Sequence, residues 1–153
     1  MDADPALRLR PAEESDLADV LAIEAASFSV PWSREAFDHL FTRSDAGVWV
    51  AGCDPNEGIV GYTVLWWVDE EADLANLAVD PSLRSRGFGG AILDQTLETA
   101  RELGIRRLYL EVRKSNEPAL RLYVSRGFER VGFRRDYYTR PKEDAEILLK
   151  ELV

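Results

Sequence analysis

Residues 74–99 read 74-LANLAVDPSLRSRGFGGAILDQTLET-99, and the fold turns on how this stretch is parsed. Leu74, Leu77 and Val79 mark a strand that ends at Asp80-Pro81, because proline has no N–H to give to a ladder. Ala91, Ile92, Leu93, Leu97 and Ala100 then fall at helical spacing. Between strand and helix lies Arg84-Ser85-Arg86-Gly87-Phe88-Gly89-Gly90. Glycines at such a junction let the backbone approach a ligand closely. The unpaired N–H groups of the first helical turn, helped by the helix dipole, attract an anion. With Arg84 and Arg86 alongside, the loop reads as a pyrophosphate cradle; its spacing fits equally well a surface turn in which the glycines serve only the chain reversal. A nucleotide P-loop does not fit, since Ala91-Ile92 follow Gly90 where Lys and Ser or Thr would stand. A dinucleotide fingerprint does not fit either, since position 92 is Ile and not Gly.

Downstream, the helix is expected to stop at Gly104, and 105-IRRLYLEV-112 is rich in β formers. Strand, helix, strand with no hairpin predicts a right-handed parallel crossover. Ligands of such units sit beyond the carboxyl ends of the strands, where Glu111 lies beside the glycine loop. Asn116 precedes a third segment of helix with Pro118 near its start and Gly127 just past its end. Ala119, Leu120 and Tyr123 share one face of it. Residues 128–135 and 145–152 read as two final strands flanking 136-DYYTRP-141.

Upstream, residues 7–10 alternate as a first strand, and Ser15 is placed to cap a helix carrying Leu17, Val20, Leu21, Ile23 and Glu24. The run 28-FSVPW-32 breaks that helix; Ser33 opens a second, ending near Phe41. A loop with Phe28, Pro31 and Trp32 either lines a binding site or pins the two helices together. Residues 48–53 and 59–68 form two antiparallel strands around a turn at 54–58, with Trp66 and Trp67 on opposite faces. His39 reads as a surface residue and Cys53 as packing, and no spacing suggests a metal site.

The 153 residues suit one domain, 1–153, with a sizeable core, and no apolar run reaches the ~18 residues a membrane helix needs. With a single cysteine and no basic-then-apolar leader pattern, the expected compartment is the cytoplasm and the expected state a monomer or weak oligomer. The net charge of −9 argues against nucleic acid as a partner and is compatible with a cationic acceptor such as an amine or a basic peptide.

Arg84-x-x-Gly87-x-Gly89 after a strand resembles the coenzyme-A-binding motif of the GNAT superfamily of acetyltransferases. The run Leu110-Glu-Val-Arg-Lys-Ser-Asn116-x-x-Ala119-x-x-x-Tyr123-x-x-x-Gly127-Phe128 resembles its second half. Within the superfamily the chain is similar to the RimI branch, the ribosomal-protein N-terminal alanine acetyltransferases. The shared features are Pro31-Trp32-Ser33, Asn76-Leu-Ala-Val-Asp-Pro81, Leu110-Glu-Val-Arg113, Arg135-Asp-Tyr-Tyr138 and Glu143-Asp-Ala145. Gly90 stands where many members carry a basic residue.

The resemblance implies a mixed α/β fold, with a central mixed sheet of six to seven strands and about four helices. In it the strands through Val79 and Glu111 splay apart around acetyl-CoA. Leu77, Ala78 and Val79 would offer backbone, Arg84, Arg86, Gly87, Phe88, Gly89 and Gly90 would hold the phosphates, and Asn116 would reach the pantetheine. Glu111 would act as base toward the incoming amine, its basicity raised by burial. Otherwise it is a strand carboxylate paired with Arg107 or Arg113. Tyr123 would protonate the departing thiolate, in concert with bond cleavage or with a lowered pKa; otherwise it is an aromatic on a core face. Phe28, Trp32, Tyr137 and Tyr138 would line the acceptor site for a protein's N-terminal amine. Competing readings are a GNAT enzyme for a small amine (polyamine or aminoglycoside), a non-catalytic CoA-binding module, and an anion-binding interaction domain.

Overall fold

The computed structural model describes residues 7–53 and 58–152, so the turn expected at 54–58 lies mostly outside it. In chain order come β1 (Arg8–Pro11), α1 (Leu17–Ser27), α2 (Arg34–Thr42), β2 (Ala46–Gly52), β3 (Gly61–Val68) and β4 (Glu71–Val79). There follow α3 (Phe88–Glu102), β5 (Arg107–Arg113), α4 (Glu117–Ser125), β6 (Glu129–Thr139) and β7 (Lys142–Glu151). The strands form one sheet in the order β1-β2-β3-β4-β5-β7-β6. Among the described residues only the β4–β5 pair is parallel, as the crossover through α3 requires.

The alternation of β3 divides the core. Val64 and Trp66 face α1 and α2, with Leu17, Val20, Ile23, Phe37 and Leu40. Leu65 and Trp67 face α3 and α4, with Leu93, Leu97, Leu108, Leu110 and Phe128. Burying a leucine such as Leu93, fully covered here, contributes about 1.5–3 kcal/mol. Gln95 of α3 ties down β1, accepting from Leu9 N at 2.8 Å and donating to Leu7 O at 2.5 Å. Cys53 packs against the cluster around Ile92, and His39 is exposed, both as read from the sequence. Among the described residues no helix is long and apolar enough to cross a membrane.

Two local expectations are corrected. Ser15 does not cap α1: a short 3-10 turn at Glu14–Asp16 intervenes, closed by a reciprocal capping box between Glu13 and Asp16. Asp16 is drawn inward because Arg10 grips it with two bonds of 2.7 and 2.8 Å, and these hold its carboxyl below the usual range. The second concerns Tyr137 and Tyr138, which are not in a turn. β6 runs on to Thr139 through an irregularity between Arg134 and Tyr138, where Asp136 takes φ 52° and its N–H bonds Asp144 Oδ1 at 2.8 Å. The extra residues re-aim the tyrosines without ending the strand.

Candidate active site

β4 and β5 pair only at Glu71–Arg107, Ala72–Leu108 and Asp73–Tyr109, though both strands continue beyond. The cause lies on the other edge of β4. Leu74 pairs with Leu65 and Asn76 with Val64, so Ala75 has no opposite number. This bulge turns β4 away from β5, and a gap opens between the strands past Asp73. Asp80 N–H bonds Val60 O at 2.8 Å, which fixes the alternation along β4. Ala78 therefore turns its backbone to β3, while Leu77 and Val79 turn theirs into the gap. The strands splay past Asp73, and the backbone of Leu77 and Val79 faces the gap while that of Ala78 does not; the Ala78 side chain is buried in the core under α1 and α2.

The glycine loop closes the open end. Asp80 caps a short turn at Pro81–Leu83, Ser85 and Gly87 take φ 64° and 83°, and α3 starts at Phe88 without a side-chain cap. Its first N–H groups are therefore directed to a ligand or solvent. A Cβ on Gly89 would lie 3.8 Å from Val79 and 3.7 Å from Leu122, so the loop sits where β4, α3 and α4 meet. At Gly90 a Cβ would lie 2.4 Å from the Arg126 guanidinium, which is held there by Asp94 at 3.0 Å. Arg86 is exposed, whereas Arg84 bonds Ser27 Oγ of α1 at 2.8 Å. Asn116 caps α4, its Oδ1 accepting from Ala119 N at 3.3 Å, which leaves its amide N–H groups to reach outward. Backbone at the gap and an uncapped helix terminus at its mouth fit the pantetheine and phosphates of coenzyme A.

Glu111 and Tyr123 approach this gap from opposite faces. Leu110 and Val112 are buried beside α3 and α4, so Glu111 points to the α1 side. Its carboxylate is not buried as the base reading expected: its side chain is 30% exposed and pairs with Arg134 at 3.0 Å. Arg107 and Arg113, the partners anticipated for a purely structural role, are engaged by Glu71 and Glu143. Tyr123 sits edge-on to Phe128 at 5.5 Å. Burial, with a smaller push from Tyr138, lifts its phenol up to about 12, opposite to the lowering considered from sequence. Tyr138 is likewise lifted to about 12, by burial first and then by Tyr137 and Glu111. Tyr137 and Tyr138 meet edge-on at 5.1 Å.

On the facing side, Trp32 stacks on Trp66 at 5.7 Å and tilts against Phe37 at 5.6 Å, while Phe28 ends α1 as its C-cap. The loop therefore does pin two helices, and it also forms a wall. Its anchor, Glu24, carried no role in the sequence reading. Only 1% exposed, it accepts from Trp32 N at 2.8 Å, from Asn76 Nδ2 at 2.8 Å and from the Tyr62 hydroxyl. Burial raises its pKa, and the three donors oppose the rise. The available signal was its spacing, four residues after Val20 and seven after Leu17, a carboxylate in an otherwise apolar stripe.

A split parallel pair with an anion-receptive helix start at its mouth belongs to a class of group-transfer enzyme that threads a long, phosphate-bearing donor between two strands. Residues 17–128 match the Acetyltransferase (GNAT) family, and the chain belongs to it: it is an N-acetyltransferase, with acetyl-CoA as acetyl donor. Similarity is marked toward one branch. The [ribosomal protein bS18]-alanine N-acetyltransferase of Escherichia coli K12 is 34% identical over 140 residues, covering 89% of this chain and 91% of that protein. The Haemophilus ducreyi protein of the same description is 33% identical over 138 residues, 88% and 93% of the two chains. The crystal structure of the Escherichia coli ribosomal-protein-S18-alanine N-acetyltransferase has TM-score 0.85 and 31% identity, covering 95% and 94%. Arabidopsis thaliana NAA60 in complex with acetyl-CoA shares the fold at TM-score 0.83 and 21% identity, covering 95% and 99%.

Proposed function

We propose that this enzyme acetylates the N-terminal α-amine of a protein, the N-terminal alanine of ribosomal protein bS18 being the acceptor, and that it works in the cytoplasm where ribosomal proteins are made. The observation that carries the reading is identity of about a third, sustained over nine-tenths of the chain, to enzymes described by that acceptor.

The reaction joins a neutral amine to the acetyl carbonyl carbon, breaks the C–S bond and returns a thiol; one proton leaves the amine and one reaches sulfur. A peptide α-amine has pKa ~7.7–8.0, so much of it is protonated at pH 7 and must lose that proton first. Glu111, exposed at the gap, is reachable by solvent and takes the proton directly or through water. The Val79 N–H, turned into the gap, is the backbone donor placed to meet negative charge developing on the carbonyl oxygen. Tyr123 is neutral throughout the working range and holds its proton at Oη on the opposite face. Giving that proton to a free thiolate, from a phenol near 12 to a thiol near 8.5, is uphill by ~3.5 units or ~5 kcal/mol. Transfer in concert with C–S cleavage avoids that uphill step.

A non-catalytic module would need neither Glu111 nor Tyr123 at the gap, and the relatives about a third identical over nine-tenths of the chain are described by a ribosomal-protein acceptor, not a polyamine. The test is thiol release from acetyl-CoA across four acceptors: a peptide beginning with Ala, the same peptide blocked at its N-terminus with an internal Lys, spermidine, and an aminoglycoside. Turnover confined to the free-ended peptide is expected. Efficient turnover of spermidine or the blocked peptide, with none of the free-ended one, overturns the acceptor.

A further inference from the structure

Arg113, the last residue of β5, reaches both walls at once. Its Nη2 donates to Ser29 Oγ of the 28–32 loop at 3.1 Å and to Arg140 O at 3.0 Å. Its Nη1 donates to Pro141 O at 2.9 Å and to Glu143 Oε1 at 3.3 Å. The guanidinium carbon also lies 4.2 Å over the ring of Tyr138. An arginine fork can serve these diverging acceptors and stack on a ring at the same time; a lysine ammonium cannot. The attachment to the β6–β7 hairpin is redundant, made through two carbonyls, a carboxylate and a ring. The attachment to the α1–α2 loop is one exposed hydrogen bond to Ser29.

Position matters as much as bonding. Glu111 and Arg113 are two apart on β5, so both side chains leave the same face, ~7 Å from one another along the strand. That is about the span of two extended peptide residues. Resting on the N-terminal acetylation reading above, we propose that Arg113 is a specificity-determining residue. Its bridge to Ser29 sets the separation of the acceptor walls one to two residues out from the reacting amine, so that the acceptor must enter end-first with a small second side chain. Neither residue handles the reacting atoms. Their effect is on which chain ends fit.

The experiment compares kcat/KM for two peptides that both begin with Ala and differ only in a second residue of Ala or Phe, in the wild-type enzyme, Ser29→Ala, Arg113→Lys and the double variant. Ser29→Ala removes a surface hydroxyl and leaves the fold intact. We expect the Ala-over-Phe preference to fall about fivefold, the worth of one hydrogen bond, with the KM for acetyl-CoA unchanged. Arg113→Lys should lose at least as much, and adding Ser29→Ala to it should change nothing further, because both break the same contact. An unchanged preference in Ser29→Ala, or additive losses in the double variant, overturns the bridge while wild-type activity keeps the acceptor reading. A wild-type enzyme inactive on both peptides overturns the acceptor reading and this inference with it.

Discussion

The carboxylate of Glu24 accepts the backbone N–H of Trp32 at 2.8 Å, and its other oxygen accepts from Asn76 on β4. One buried side chain of α1 thereby fixes the acceptor loop to the strand whose next residue, Leu77, opens onto the cofactor gap. Glu24→Gln places an amide N–H₂ against donors that need an acceptor. The loss should be about 1–3 kcal/mol of unfolding free energy, measured in urea, with a raised KM for the peptide. Loss of neither makes the network incidental.

The same residue predicts a pH dependence. Burial raises the native pKa of Glu24 above its unfolded value, so the native state binds the proton more tightly. Its contribution to stability is fully present below the unfolded value, ~4.3, and is lost as pH rises through the native one. The stability of wild type relative to Glu24→Gln should therefore grow as pH is lowered from 8 toward 4. If the difference shrinks instead, the three donors outweigh burial and the carboxylate is favoured.

Glu111→Gln removes the proposed base and its pairing with Arg134 while keeping shape. General-base contributions are about 10²–10⁴-fold, so kcat should fall within that range, most steeply at pH 7 where much of the peptide α-amine is protonated and less at pH 9 where it is already neutral. Acetyl-CoA affinity, by calorimetry, should hardly change. A variant with wild-type rate and profile would leave Glu111 as a structural carboxylate.

Tyr123→Phe should lower kcat with little change in thermal midpoint, because the ring remains packed on Phe128. With its phenol up to about 12, Tyr123 cannot produce a break in the wild-type rate profile below pH ~11. A break near 9 or 10 that vanishes in Tyr123→Phe would contradict the pKa derived from its burial.

Gly89 tests the cradle. Its Cβ position has ordinary contacts to Val79 and Leu122, so Gly89→Ala should fold normally. Gly89→Glu adds a negative charge at the start of α3, against both dipole and ligand, and should abolish measurable acetyl-CoA binding with the circular dichroism spectrum intact. Retained affinity in Gly89→Glu would place the phosphates elsewhere.

What the chain determined by itself is its local grammar. Ser33 was readable as the opening of a helix, Asn116 as the residue before one, Gly104 and Gly127 as helix stops, and Trp66 and Trp67 as residues of opposite faces, because capping, turn chemistry and strand alternation act over a few residues; the structure gives both glycines positive φ and makes Ser33 and Asn116 caps. The motifs holding Arg84, Gly87, Gly89, Asn116 and Tyr123 carried the enzyme class through their resemblance to a known family, not through spacing alone. Tertiary structure decided the rest. The Ala75 bulge that opens the gap depends on register against β3, and the irregularity that keeps Tyr137 and Tyr138 in a strand depends on register against β7. Glu111 found Arg134, 23 positions away, and Arg113 found Ser29, 84 positions away; neither pairing has a local signal. Charge and burial at a site are sums over elements distant in sequence, so the phenol of Tyr123 rose where a local reading allowed it to fall.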